Sequence, residues 1–119
     1  MDNPKMEWVQ KGGKNCLRFT FLESFKEQDA KVATAKWREE LSAKPQQERF
    51  VHIWDCLAMK DYDQPARTMW SDTCKDLKGQ IDVIWVITNS LLIKMGATVI
   101  SVFTSLNIKV VSSEADIRF

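Results

Sequence analysis

Histidine is nearly absent from this sequence of 119 residues: His52 is the only one, and no acid or nucleophile stands at a spacing that would make it catalytic. Cysteine is scarce as well. Cys16, Cys56 and Cys74 are an odd number without a Cys-x-x-Cys pair, and zinc needs about four clustered ligands. No metal and no cofactor are therefore expected, and the thiols read as reduced and mostly buried. Cys56 lies four residues beyond His52 on one strand, which separates the two by about 13 Å, outside hydrogen-bond reach. Excess charge is also missing. The 17 Lys and Arg against 16 Asp and Glu leave a balance of +1, too little to attract a phosphate backbone, so a nucleic-acid partner is not expected. No uncharged run reaches membrane-spanning length. The polar start Met1-Asp2-Asn3-Pro4-Lys5 lacks the apolar stretch of a signal peptide, and the expected location is the cytoplasm. Low-complexity tracts and internal repeats are absent too, which leaves residues 1–119 as one expected domain.

What is present alternates between two periods. Residues 6–21 read as a hairpin turned at Gly12-Gly13. Ser24 to Ala43 reads as a helix, with Ser24 as N-cap, Glu27 completing a capping box, and Ala30, Ala33, Trp37 and Leu41 on one face. Arg49 to Cys56 is a buried strand. Asp63 caps a second helix with Pro65 in its first turn and Ala66, Met69, Trp70, Thr73 and Leu77 at helical spacing, stopped near Gly79. Asp82 to Thr88 is nearly continuous in apolar residues, as a central strand covered on both faces is. A third helix follows over 91–106, capped by Asn89 or Ser90, then a strand over Ile108 to Val111 and a short helical turn after Ser113. The order ββαβαβαβ predicts an α/β fold: an open, mostly parallel sheet of about five strands with right-handed crossovers, helices mainly on one face, and one antiparallel strand from the hairpin.

The hairpin, the helix from Phe25 to Leu41, the strand Phe50-Val51-His52-Ile53-Trp54-Asp55 and the run QIDVIWVITNSLLIKMGATVISVFTSLNIKVVSS over residues 80–113 together resemble the bacterial STAS/SEC14-like, or SpoIIAA-like, group. The resemblance spans nearly the whole chain and rests on element order and hydrophobic pattern. It implies a fold shared by anti-sigma-factor antagonists and lipid-carrier domains, and a regulatory or ligand-binding module in place of an enzyme. In the antagonists a phosphorylatable Ser or Thr sits where the loop after the strand ending near Asp55 enters the next helix. Here the stretch from Asp55 to Ala66 contains neither, so that switch has no acceptor. Asp61 and Asp63 put negative charge there, where ordinary helix capping accounts for it. Asp55, Thr88 and Lys109 also sit at strand ends as in a phosphoacceptor pocket, but Glu23 alone replaces the acidic pair that holds magnesium in a receiver domain.

Two features point to binding. The first is aromatic: Phe50, His52 and Trp54 share one strand parity, and with Trp85 on the neighbouring strand they form a candidate ligand pocket for an apolar small molecule or lipid, against the alternative of a plain core cluster. The second is the third helix. Its only charge is Lys94, in a polar stripe with Thr98, Ser101 and Ser105. Leu92, Met95, Gly96, Val99 and Phe103 are expected to face the sheet. That leaves Leu91, Val102 and Leu106 on one flank and Ile93, Ala97, Ile100 and Thr104 on the other as a candidate surface for a homodimer or another protein, against the alternative that neighbouring helices cover both flanks.

Overall fold

The computed structural model describes residues 2–119. Its elements follow in the order β1 (Lys5–Lys11), β2 (Lys14–Thr20), β3 (Ser24–Phe25), α1 (Glu27–Ser42), β4 (Phe50–Asp55), β5 (Asp61–Tyr62), α2 (Gln64–Asp76), β6 (Ile81–Ile87), α3 (Leu91–Thr104) and β7 (Ile108–Val111). Gly12 and Gly13 take φ of +57° and +76°, the left-handed pair that a two-residue hairpin turn needs. They join β1 to β2 as the antiparallel members of a five-stranded sheet ordered β1-β2-β4-β6-β7, with β4, β6 and β7 added in parallel. This is the open, mostly parallel sheet that the sequence predicts.

The strand order advances in one direction from β2 to β7. Right-handed crossovers in one direction leave every connecting helix on the same side. Accordingly α1, α2 and α3 all pack on one face, where Leu17, Phe19, Trp54, Ile84 and Val86 meet Trp37, Trp70 and Ile100. The opposite face carries Cys16, Val51, Ile53, Trp85 and Ile87 and is covered by Ile117 near the end of the chain. Lys109 lays its ammonium 5.1 Å from the Trp85 ring centre on that side. Glu114 ties the covering segment down through ion pairs with Lys11 and Arg18, both at 2.8 Å, and Arg18 reaches Asp55 at 2.7 Å. Phe119 lies against Gly12 so closely that any Cβ at that position would collide with it.

The helix starts show one departure from the sequence reading. Ser24 is not the cap of α1. Phe25 is drawn into the aromatic core, which keeps Ser24 and Phe25 extended and paired with Asp61 and Tyr62. The N-cap falls two residues later, at Lys26, whose amide donates to Asp29 Oδ2 at 2.9 Å. Asp63 caps α2 as expected, accepting from the Ala66 amide at 2.8 Å, while its other oxygen accepts from the Glu27 amide of α1 at 3.1 Å. One carboxylate thus closes the first turns of two helices, where the helix dipoles favour it. Ser90 caps α3 by accepting from the Ile93 amide, and Ser105, at φ +59°, ends it two residues short of the expected limit.

Asp63→Ala leaves two amides without their acceptor and is expected to lower stability by about 2 kcal/mol. Asp63→Asn, which keeps one side-chain carbonyl oxygen, should fall between. Urea midpoints at constant slope measure both, and a wild-type midpoint in the Ala variant contradicts the double cap.

Candidate functional site

Rings stack between the sheet and the helices. Phe19 of β2, His52 and Trp54 of β4, Trp37 of α1 and Trp70 of α2 lie with ring centres 4.8–6.4 Å apart, mostly edge to face, the geometry that aligns ring edges with π faces. His52 is fully buried within them. Its Nε2 accepts from the Trp37 indole at 3.2 Å, and its Nδ1 lies 3.0 Å from the Phe50 carbonyl. This network assigns the proton to Nδ1 and a neutral ring. Burial pushes the imidazole down to about 4, with the Phe50 carbonyl opposing. His52 is a satisfied core histidine.

The four residues expected to form one pocket do not come together. β4 and β6 pair with Ile53 opposite Trp85, so Trp85 shares the opposite face with Ile53 while Phe50, His52 and Trp54 face the helices. Phe50 contacts Trp8, and His52 is enclosed. Of the four only Trp54 lines a cavity. That cavity, of about 60 Å³ and partly open to the surface, lies beside Trp54 and Trp70 and is closed by Phe21, Met59, Tyr62 and the inner side of α3. Trp70 stands in the apolar stripe read for the second helix. Met59 and Tyr62 lie in a connection whose path no period reveals. Among the described residues, two buried side-chain polar atoms lack a hydrogen-bond partner, the indole nitrogens of Trp54 and Trp70. Each such donor costs about 1–3 kcal/mol when left unpaired.

Helix α3 is turned the other way from the expectation. Ile93, Ala97, Ile100 and Thr104 are buried, at 4–7% exposure, and Ile93, Ala97 and Ile100 line the cavity; this flank is core and presents no surface. The outward face is Leu92, Met95, Val99 and Phe103, with Leu91 and Val102 beside them at 72% and 78% exposure. The physical reason is Gly96. The Tyr62 ring lies against its backbone, and a Cβ there would stand 2.6 Å from Tyr62 Oη. The helix therefore turns Gly96 and Ala97 toward the domain, with Ile93 and Ile100 beside them, and turns Met95, Val99 and Phe103 outward. Lys75 of α2 stands 4.9 Å over the Phe103 ring at the border of this patch.

Other polar residues at the strand ends are held within the fold. Asp55 holds Arg18 and accepts from the Leu57 amide, and Glu23 meets Lys60 at 3.4 Å. Thr88 Oγ1 accepts from the Ser90 amide. All three thiols are free and buried, and burial raises each above the ordinary range, for Cys56 with help from the Asp55 charge. Among the described residues no group of three or more His, Cys, Asp or Glu is placed to hold a metal, and no helix is long and apolar enough to cross a membrane.

No protein-family profile matches the chain, and no curated protein matches it. Among solved structures, the crystal structure of an uncharacterized protein of the DUF3478 family from Shewanella loihica, with a SpoIIAA-like fold, is similar with a TM-score of 0.79. The two are 13% identical, and the match covers 98% of this chain and 91% of that one. This likeness shows the fold: the five-stranded sheet with three helices on one face is SpoIIAA-like.

The single histidine sets an acid response. Burial holds it near 4 in the fold, below the 6.5 of an ordinary histidine, so the unfolded chain takes up the proton first as pH falls. Stability is complete above pH 6.5 and is lost between 6.5 and 4, by on the order of 3 kcal/mol at the acid end. Urea midpoints of the wild type should drop from pH 6.5 to 5, a range above ordinary carboxylate titration. The less stable His52→Gln variant should lack that drop, and an equal slope in both would assign it elsewhere.

Proposed function

We propose that this SpoIIAA-like domain is a non-enzymatic, regulatory binding module of the STAS/SEC14-like type, acting in the cytoplasm and pairing with a second copy of itself. The observation that carries the reading is the outward face of α3. Leu91, Leu92, Met95, Val99, Val102 and Phe103 are all exposed. At 100° per residue they span about 120° of the helix circumference. Soluble monomers rarely leave a contiguous apolar patch of this kind uncovered.

A second copy suits this face better than the other occupants. None of the six side chains carries charge, and the chain as a whole has only +1, so repulsion between two copies is small. Met95, Val99 and Phe103 form a ridge at i, i+4, i+8, which packs into the grooves of an identical helix, and a two-fold uses one patch twice. A lipid surface favours helices with a basic polar face, whereas Lys94 is the one cation of α3. Control by a phosphoserine in the connection to α2 is not part of the proposal, because residues 55–66 offer no Ser or Thr.

The wild type is expected to sediment as a dimer at tens of micromolar. Val99→Glu should give a monomer with an unchanged circular dichroism spectrum and a stability within about 0.5 kcal/mol of wild type. Ile100→Glu, one residue away but facing inward, should unfold the domain, because its charge would be buried without a partner. A monomeric wild type at these concentrations would sink the self-association reading.

A further inference from the structure

Residues 113–119 run over the sheet face that carries no helix, from the end of β7 to the turn of the first hairpin. Ile117 is the one buried residue among them. Their own hydrogen bonds stay inside the segment. The Asp116 amide donates to the Ser113 carbonyl, the Ile117 amide to that of Glu114, and the Arg118 guanidinium to that of Ala115; the Ser113 hydroxyl donates to the Asp116 carboxylate. Among the described residues, no backbone hydrogen bond joins 113–119 to the rest of the domain. Three side chains hold the segment down. Ile117 packs with Cys16, Val51, Ile53, Trp85 and Ile87, Glu114 pairs with Lys11 and Arg18, and Phe119 lies against Gly12. The Glu114 and Lys11 side chains are 38% and 42% exposed, and pairs so wet contribute little and are screened by salt. Arg18 keeps Asp55 when Glu114 leaves. By contrast α1 alone is anchored by five buried residues. Segments with few buried contacts and no shared backbone bonds open before the core does.

We propose that residues 113–119 are a latch with Glu114 as its catch: the segment lifts as a unit while sheet and helices stay folded, and uncovers Cys16, Val51, Ile53, Trp85 and Ile87. The exposed Ser112 and Ser113 form the hinge. The domain then has two apolar surfaces of different standing. The outward face of α3 is always presented, and the second sheet face is presented only when the latch is open. Ionic strength sets the balance, because screening weakens the catch and leaves the aromatic core untouched. The latch is independent of self-association, since α3 lies on the other side of the sheet.

Two free thiols report the opening. Cys16 packs with Ile117 of the latch, and Cys74 is sealed among the helices on the other face. The full native chain is labelled with iodoacetamide, and each site is quantified by peptide mass spectrometry. Cys16 is expected to label at least about tenfold faster than Cys74, at a rate that hardly depends on urea below the unfolding transition. Relative to Cys74, Glu114→Gln should raise the Cys16 rate about fivefold. Sodium chloride at about 1 M should do the same to the wild type and not to that variant. Ile117→Ala should raise the Cys16 rate by about tenfold or more on the same scale, which separates lifting of the latch from fraying of the hairpin that carries Cys16. Equal rates at Cys16 and Cys74 with one urea dependence would show that the segment leaves only when the whole domain unfolds, and would overturn the proposal. A fast Cys16 rate that neither Glu114→Gln nor Ile117→Ala moves would place the opening in the hairpin and overturn it as well.

Discussion

The layer of rings between the sheet and its helices governs the rest of the structure. Phe19, Trp37, Trp54 and Trp70 fill the space over β2 and β4, with His52 among them. Small residues let the backbones approach around these rings: Ala30 and Ala33 on α1, Ala66 on α2. Each of the first two helices thus contributes one indole and rests on alanines. The third contributes no ring; Ile93, Gly96, Ala97 and Ile100 face inward instead. Where the aromatic layer meets this thinner wall the packing does not close, and the cavity is the result. Interiors are otherwise packed like organic crystals, so a gap at one boundary is a property of these particular side chains.

Gly96 has effects on both sides of its helix. Inside, it admits the Tyr62 ring, which anchors the connection between β4 and α2 against α3. Outside, the rotation that this contact requires turns Met95, Val99 and Phe103 into solvent. A helix that is apolar around most of its circumference must bury one side and present the other. Here the bulkier side is presented.

Element order, strand parity and most helix limits were legible in the sequence, because periods of 2 and 3.6 are local properties. The directions of Trp85 and α3 were not. Parity within β4 and within β6 is plain, but their relative phase comes from the pairing of Ile53 with Trp85 and from the irregularity at Phe50 and Val51. For α3, Ile93 and Ile100 are as apolar as Leu92 and Val99, so hydrophobicity alone gave no preference. The discriminating signal was the smallness of Gly96 and Ala97, which marks close approach. The cap at Ser24 failed because a long-range contact, Phe25 in the aromatic layer, overrode a good local motif. The two unpaired indoles belong to a third kind: nothing in a sequence tells which tryptophans find partners.

The second face of the sheet gives order in time as well as in space. Its cover is Ile117, held by Glu114 on Lys11 and Arg18, so the first hairpin and the last turn complete each other. Chains emerge from the ribosome at about 5–20 residues per second. Between the appearance of Ile87 and that of Ile117, Val51, Ile53 and Trp85 stay open to water for a few seconds even if the helical side has already closed. During synthesis the vulnerable surface of this protein is therefore its smooth side, and a nascent-chain chaperone would find it there.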